Sequence, residues 1–335
     1  MERLLATGMY QEFYGLRELP FELTANPKYL YLPPGHREAL SNLEYGLSAA
    51  KAVTALIGEA GTGKTTLLKA ALASERCRHL RAVYLNNPAM TRGEFLEALA
   101  RTLKLSPRAA RSKAILLEEL ERLVHEGRAG GQITALVIDE AQSLSTDLLE
   151  EIRLLGNMET AVEKLLPLVL VGQPALGRRL DEHELRQLKQ RVALRCAVAP
   201  FTLSETAAYI AIRIKRAGGS AIRLSTRDAV IRIHAYSGGI PRTISVICDN
   251  ALVHGLALGR QPVGQEIVEE VCRDFCLQHH EADQSGGFTG EADPENVSER
   301  HDDSPSPAEQ GTDEVDQHDQ TAVPRRFNLF GTRRP

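Results

Sequence analysis

The sequence lacks the marks of an integral membrane protein or an exported protein. No apolar run approaches the roughly 20 residues that a helix needs to span a bilayer, and the opening stretch "MERLLATGMYQEFYG" has no apolar core of the kind found in export signals. The five cysteines are odd in number and dispersed, which argues against a disulfide framework and favours a reducing compartment. We therefore expect a cytoplasmic protein without a membrane span.

Charge of neither sign dominates the chain, but the charges are unevenly placed. The formal net charge is −4, whereas residues 281–319 hold 13 acidic residues against Arg300 alone. The last eleven residues carry four arginines, so residues 1–280 have a slightly basic balance that decides nothing about an anionic partner. Residues 277–335 are mostly Asp, Glu, Ser, Gly, Pro and Gln, a composition that cannot offset the entropy of ordering. They are predicted to form a disordered acidic tail with a basic end.

Short apolar runs alternate with amphipathic helical patterns in the first two thirds of the chain. Three runs, at 52–58, 133–141 and 166–174, are apolar on both faces, which is typical of the middle strands of a parallel sheet. Weaker candidates at 81–87 and 193–201 make five strands. The helical patterns between them are "GKTTLLKAALAS", "TRGEFLEALARTL", "SKAILLEELERLVHEG" and "DLLEEIRLLGNM". This alternation predicts an α/β fold with a doubly wound, five-stranded parallel sheet.

After Phe201 only helical patterns remain, which predicts a small C-terminal helical lid domain. Helix ends are expected at the capping residues Ser204, Ser225 and Gly264, the stop glycines Gly218, Gly219, Gly238 and Gly239, and the first-turn Pro241. The chain is accordingly divided into an N-terminal segment at 1–50, an α/β domain at 51–201, the lid at 202–276 and the tail at 277–335.

The stretch "GEAGTGKTT" matches the phosphate-binding P-loop pattern in full, with an apolar strand before it and a helix after it. Glycines let successive backbone N–H groups surround a phosphate, Lys64 reaches the terminal phosphates, and the Thr65 hydroxyl is a ligand for Mg²⁺. The alternative is a glycine-rich turn that binds nothing. The predicted residues that bind ATP are Gly58, Glu59, Ala60, Gly61, Thr62, Gly63, Lys64, Thr65 and Thr66. The α/β domain is thus predicted to bind nucleotide, and the N-terminal segment is expected to pack by the nucleotide site. Its aromatic residues Phe13, Tyr14 and Phe21 are a candidate wall for the adenine base.

Two further strand ends carry polar residues that suit nucleotide hydrolysis. In "ALVIDEAQ", Asp139 and Glu140 follow an apolar strand, where Asp139 is expected to hold Mg²⁺ through water and Glu140 to act as general base. In "VGQP", Gln173 is expected to sense the γ-phosphate and orient the attacking water. The alternatives are a helix cap or solvated loop for the acidic pair and an ordinary polar strand end for Gln173.

Two sets of arginines bear on whether hydrolysis needs a second subunit. "HELRQLKQRVALRC" carries Arg186, Arg191 and Arg195, of which Arg191 is the candidate arginine finger for a neighbouring subunit, against the alternative of a solvated helix face. In "SGGIPRTISV", Arg242 opens a lid helix from which it is expected to reach phosphate. A finger acting on a neighbour implies a homo-oligomer.

These motifs in this order resemble the AAA+ ATPases, and within them the family of general secretion pathway protein A. The resemblance spans residues 9–275 and includes "MYQEFYGLRELPFELTANPKYLYLPPGHREALSNLEYGL", the P-loop, "VIDEAQ", "LVGQP", "LRQLKQR" and "GGIPR". It implies ATP with Mg²⁺, and protein partners in type II secretion assembly or in exosortase and exopolysaccharide systems. It also implies a family-like start near Met9 and a cytoplasmic location, with peripheral association at the inner membrane as the alternative. The sequence departs from the full-length members, because it has the acidic tail where they continue into a membrane span and a periplasmic peptidoglycan-binding domain.

Two functions from different classes follow from the sequence. The first is a cytoplasmic AAA+ ATPase that remodels an envelope complex through movement of the lid. The second, suggested by a resemblance of the same core to transposition ATPases, is an ATP-dependent DNA-binding helper or regulator. The small basic excess and the lack of a recognisable helix-turn-helix disfavour this second function. A non-hydrolysing scaffold is disfavoured because the P-loop, Asp139 and Glu140 are intact.

Overall fold

A computed structural model of the chain describes residues 10–23, 27–85, 90–160 and 163–278. Five strands form one sheet in which every neighbouring pair is parallel, in the order β2-β3-β4-β1-β5. The strands are β1 Val53–Gly58, β2 Leu80–Leu85, β3 Ile133–Ile138, β4 Leu168–Gly172 and β5 Val192–Val198. The predicted five-stranded parallel sheet is confirmed.

The predicted strand bounds need small corrections at the carboxyl ends. β3 and β5 each end three residues earlier than predicted. In β3 the reason is local, because the chain turns sharply at Glu140, whose φ of 54° lies in the left-handed region. The polar residues that follow each strand therefore lie beyond the sheet, at its carboxyl edge.

Seven α-helices lie in the described residues between positions 27 and 201. They are α1 Pro34–Ser48, α2 Lys64–Leu72, α3 Arg92–Leu103, α4 Lys113–Ala129, α5 Thr146–Leu155, α6 Pro174–Leu180 and α7 Arg186–Lys189. The amphipathic patterns predicted α2 to α5. The helix α1 was not predicted, although it packs on β5 and α2.

The sheet is covered on both faces, as a doubly wound sheet is. One face of the sheet packs against leucines of α1 and α2, such as Leu43 and Leu68, with Val137 and Val171 contributed by the sheet. The other face packs against α3 to α7 through residues of the alternate register, such as Leu136 and Leu170 of β3 and β4 and Leu116 and Leu149 of the helices. The burial of both faces explains why the middle strands are continuously apolar.

Helices follow the sheet domain and form the lid: α8 Leu203–Arg216, α9 Ala221–Leu224, α10 Arg227–Ser237, α11 Pro241–Ala257 and α12 Gln265–Asp274. Pro241 at the first turn of α11 and Gly264 as the N-cap of α12 agree with the prediction. Two predicted caps are wrong. Thr202 rather than Ser204 caps α8, in a capping box with Glu205, and Thr226 rather than Ser225 caps α10 through its side chain.

The N-terminal segment is part of the lid core before it reaches the sheet domain. Tyr10, Tyr14 and Phe21 are buried among the lid helices. Arg213 of α8, itself 7% exposed, donates to the carbonyls of Pro20 and Glu22 and stacks over aromatic rings. This clamp fixes the segment that leads from the lid to α1.

Among the described residues, no helix is both long and apolar enough to cross a membrane. The predicted disordered tail lies outside the described residues from residue 279 onward, so it stays a prediction, as do the domain boundaries given above.

Candidate functional site: a P-loop between the sheet and the lid

The P-loop joins the end of β1 to the start of α2 in a turn that only glycine adopts easily. Gly61 and Gly63 have φ values of +84° and +97°, in a region that side chains disfavour. Gly63 is the N-cap of α2, so the free N–H groups of the first turn of α2 and its positive dipole end face the turn. This combination suits an anion at the turn.

Two of the glycines are also required by close packing. A Cβ at Gly58 would lie 2.5 Å from the carbonyl oxygen of Val198 in β5. A Cβ at Gly61 would lie 2.9 Å from Cβ of Arg242 in the lid. The turn is therefore pressed against the sheet on one side and against the lid on the other.

Lys64 lies folded over the turn. Its Nζ donates hydrogen bonds of 2.9 Å to the carbonyls of both Gly58 and Glu59, and the residue is 6% exposed. Burial lowers the pKa of Lys64, while the nearby carboxylates of Glu140 and Asp139 oppose that effect. The ammonium group is thus already inside the turn, where terminal phosphates would lie.

The order of the strands brings the predicted acidic and polar residues together. Asp139 Oδ2 accepts a hydrogen bond of 3.1 Å from Thr65 Oγ1, which links the end of β3 to α2. Gln173 Nε2, after β4, donates to Glu140 Oε2 at 3.3 Å. Because β4 lies between β3 and β1, the ends of these three strands meet at one edge of the sheet.

A cavity of about 440 Å³ opens between the turn and the lid. Tyr29, Tyr31, Phe201 and Tyr209 form an aromatic part of its wall, with the Phe201 ring centroid 5.6 Å from that of Tyr31 and 5.4 Å from that of Tyr209. An aromatic wall suits the face of a nucleobase. The other lining residues are Glu22, Leu23, Leu30, His36, Ala60, Gly61, Thr62, Gly63, Lys64, Thr65, Thr66, Leu67, Glu140, Arg213, Pro241, Arg242 and Ser245.

The sequence suggested a different aromatic wall, and that suggestion is wrong. Phe13, Tyr14 and Phe21 are absent from the lining of this cavity. Tyr14 and Phe21 are buried in the lid core instead. The aromatic residues that line the cavity are Tyr29 and Tyr31, from later in the N-terminal segment, Phe201 just before the lid, and Tyr209 in the lid.

The two candidate arginines lie in different places. Arg242 lines the cavity, and its backbone N–H donates to the carbonyl of Gly61 at 3.2 Å, so the start of α11 touches the P-loop directly. Arg191 is not among the residues that line the cavity of its own chain, and its Nη1 donates to the carbonyl of Arg153 at 3.4 Å. A finger role for Arg191 requires a neighbouring subunit and stays a prediction.

Sequence reasoning gave no role to two residues that contact the predicted site. His36 of α1 is buried with Nε2 3.1 Å from the carbonyl oxygen of Thr62, and burial lowers its pKa. No local pattern marks it. Gln142 contacts both Glu140 and the backbone of Gln173. Gln142 is the last residue of the segment "DEAQ", but nothing in the sequence shows which groups its side chain contacts.

The residues present fit a magnesium nucleotide. The backbone turn and Lys64 supply donors for phosphate, and Thr65 with Asp139 supplies oxygen ligands at hydrogen-bond distance from each other. Within the described residues, no group of three or more His, Cys, Asp or Glu is arranged to hold a metal alone. Mg²⁺ usually binds one or two protein oxygens and completes its coordination with phosphate and water, so the oxygens of Thr65 and Asp139 match its needs.

Comparison with known proteins agrees with this reading of the fold. Residues 48–180 match an AAA domain family. General secretion pathway protein A of Aeromonas hydrophila is 37% identical over 255 residues, which are 76% of this chain. The chain spans 46% of the length of that relative. The predicted resemblance is therefore confirmed.

Solved structures show the same fold at low sequence identity. The ORC2 protein of Aeropyrum pernix, in ADPNP-ADP complexes, has a TM-score of 0.54 and 19% identity, covering 76% of this chain and 70% of that one. The Walker-type ATPase of Pyrococcus abyssi has a TM-score of 0.55 and 18% identity, covering 77% and 76%. Drosophila ORC bound to DNA has a TM-score of 0.58 and 18% identity, covering 81% and 66%. The chain therefore has the P-loop fold of the AAA+ class and is similar, over three quarters of its length, to general secretion pathway protein A.

Proposed function

We propose that this protein hydrolyses ATP and uses the associated movement of its lid to assemble or remodel a bacterial envelope secretion complex. The observation that carries the proposal is that three groups line one cavity: the P-loop with Lys64, Glu140, and Arg242 of the lid. Gln173 is hydrogen-bonded to the second of these, Glu140. Each group on its own is common. Together they supply phosphate binding, water activation and a link to a second domain.

Hydrolysis needs few steps from these residues. The P-loop amides and Lys64 hold the β- and γ-phosphates. Thr65 and Asp139 would hold a Mg²⁺ ion, which would neutralise phosphate charge when bound. Glu140 accepts a proton from a water as the water oxygen bonds to the γ-phosphorus and the bond to the β–γ bridging oxygen breaks. Gln173 donates a hydrogen bond to Glu140, which orients the carboxylate and the attacking water. The products are ADP and inorganic phosphate.

The lid provides the means of turning hydrolysis into movement. Arg242 lines the cavity, and its backbone is bonded to Gly61. A group on the lid that contacts the γ-phosphate binds ATP and ADP differently, and only such differential contact shifts a conformational equilibrium. The lid position is therefore expected to depend on which nucleotide is bound.

Secretion is proposed as the pathway because of the similarity to general secretion pathway protein A. We place the protein on the cytoplasmic side, with peripheral association at the inner membrane, acting in type II secretion or in a related exosortase and exopolysaccharide system. The partners are proteins of that system and further copies of this chain. Co-purification of the tagged chain with envelope proteins tests this, and recovery of no envelope protein would contradict it.

Substitutions at the site test the ATPase itself. Lys64→Ala is expected to lose ATP binding, whereas Glu140→Gln is expected to bind ATP and lose turnover. Lys69→Ala, at an exposed lysine of the same helix, is the matched control and should behave as the unsubstituted chain. Binding is measured by calorimetry with Mg-ATP and turnover by phosphate release. Turnover in the Glu140→Gln protein equal to that of the unsubstituted chain would remove Glu140 from the role of base.

The proposed role of Arg191 as an arginine finger is tested by varying the protein concentration and by substitution. If Arg191 completes a neighbour's site, turnover per subunit should rise with protein concentration, and Arg191→Ala should abolish that rise. Arg186→Ala and Arg195→Ala should leave the rise in place. Turnover strictly proportional to protein concentration would contradict a homo-oligomeric site.

A second candidate function is ATP-dependent DNA binding. The loop between α3 and α4 favours it, because Lys104, Arg108 and Arg111 are exposed and form no ion pair with a described residue. The experiment is duplex DNA binding with and without ATP across a salt series. Binding that requires ATP, falls steeply with salt and is lost when these three residues become alanine would favour this function over secretion.

A further inference from the structure

The side chain of Gln142, which the mechanism above does not use, lies between the ends of two strands. Its Nε2 donates a hydrogen bond of 2.5 Å to Glu140 Oε2, after β3. Its Oε1 accepts a hydrogen bond of 3.1 Å from the backbone N–H of Gln173, after β4. One amide therefore connects the proposed base to the residue expected to sense the γ-phosphate.

Chemistry fixes which way this amide faces. The ionised carboxylate of Glu140 only accepts hydrogen bonds, and the backbone N–H of Gln173 only donates one. Rotating the amide of Gln142 by half a turn would place oxygen against oxygen and N–H against N–H. The bridge thus has a single satisfied arrangement.

The surrounding chain holds this arrangement in place. Strand β4 ends in Gly172, and a Cβ there would lie 2.7 Å from Gln142 Oε1, so glycine leaves the room that the amide occupies. Arg179 of α6 donates to the backbone carbonyl of Gln142 at 2.8 Å and also to that of Leu144. The amide is therefore anchored through its backbone and enclosed by the neighbouring strand.

The base itself has little other restraint. Glu140 is exposed and its backbone is in the left-handed region, so packing does not hold its side chain. Its Oε2 accepts two hydrogen bonds, from Gln142 Nε2 at 2.5 Å and from Gln173 Nε2 at 3.3 Å. Its Oε1 receives no hydrogen bond from a described residue, which leaves that oxygen to accept a proton.

We propose that Gln142 is a positioning residue that holds Oε2 of Glu140 so that Oε1 faces the attacking water, and that it ties this orientation to Gln173. The inference rests on the proposed ATP hydrolysis. It assigns Gln142 no contact with nucleotide. Its loss should therefore slow turnover without weakening ATP binding.

Two variants of nearly equal size test the bridge. Gln142→Met removes both hydrogen bonds, whereas Gln142→Glu keeps an oxygen for the Gln173 N–H but places a carboxylate against Glu140. Both are expected to lower kcat about 10- to 100-fold, a part of the 10²- to 10⁴-fold that a positioned base contributes. The affinity for Mg-ATP should stay within about twofold of that of the unsubstituted chain, and the thermal unfolding midpoint should stay within a few degrees. Gln132→Glu, an exposed glutamine before the opposite end of β3, makes the same charge change and should alter none of these quantities.

A double-mutant cycle separates positioning from a general structural role. If Gln142 acts through Glu140, adding Gln142→Met to the Glu140→Gln protein should lower the residual turnover no further. A full additional loss in the double variant, an unchanged kcat in Gln142→Met, or weaker ATP binding in proportion to the lost turnover would overturn the inference. Turnover of the unsubstituted chain in the same assay tests the proposed function separately.

Discussion

A pair of glycine substitutions in the P-loop tests how the lid contacts the nucleotide site. Gly61 and Gly63 both have left-handed backbones, at φ +84° and +97°, so alanine at either position carries a conformational cost of about 1–2 kcal/mol. The two positions differ in their surroundings. A Cβ at Gly61 would lie 2.9 Å from Cβ of Arg242 and 3.0 Å from Cγ2 of Ile240, whereas a Cβ at Gly63 has nothing within 4 Å.

This difference gives the expected magnitudes. If the free protein relaxes the strained turn and ATP binding must restore it, Gly63→Ala should weaken ATP binding by the conformational cost alone, roughly 5- to 30-fold. Gly61→Ala should lose that amount and also push the lid away. The shift breaks the 3.2 Å bond from Arg242 N–H to the Gly61 carbonyl, a further loss of about 0.5–1.5 kcal/mol.

Two measurements separate these contributions. Calorimetry gives the affinity for Mg-ATP, and amide hydrogen exchange over residues 240–244 reports the start of α11. Exchange there should rise in Gly61→Ala and stay unchanged in Gly63→Ala. Equal exchange in the two variants, or ATP binding by Gly61→Ala as tight as that of the unsubstituted chain, would refute the inferred contact between the P-loop and the lid.

Three further predictions concern stability. Glu151 is 2% exposed and pairs with Arg92 and Lys113 at 2.6 and 2.7 Å, so replacing both cations with alanine should lower the free energy of unfolding by about 3–5 kcal/mol in urea titrations; a loss below 1 kcal/mol would contradict this. Burial lowers the pKa of His36 below 6.5 in the folded state. As pH falls below about 6.5, the unfolded state therefore binds this proton before the folded state does, and the free energy of unfolding decreases. This decrease should be smaller in His36→Gln. Thr202→Ala removes the cap of α8 and should cost about 1 kcal/mol, with an unchanged urea midpoint as the contrary result.

Sequence reasoning worked where the rule is local. The P-loop needs glycines in a left-handed backbone just before a helix, and Gly61 and Gly63 have that conformation. The apolar runs predicted middle strands because both faces of the sheet are covered. One local rule was applied to the wrong residue: Thr202 stands three positions before Glu205, which is the spacing of a capping box, yet Ser204 was predicted as the cap.

Other features depend on residues far apart in the sequence. The pairing of Glu151 with Arg92 and Lys113 joins three helices. The aromatic wall combines Tyr31 of the N-terminal segment with Phe201, which lies just before the lid. No sequence pattern predicts such contacts, because they form only once the helices pack on the sheet.

The sequence by itself determined the kind of chemistry: a phosphate-binding turn, a lysine, and acidic and amide groups after apolar strands. These follow from backbone sterics and hydrogen bonding within a few residues. The tertiary structure decided which of those groups meet. With β4 placed between β3 and β1, Glu140 lies beside Gln173, the amide of Gln142 bridges them, and the start of α11 touches Gly61. Such contacts depend on strand order and helix packing, which the whole chain sets by burying its apolar surface.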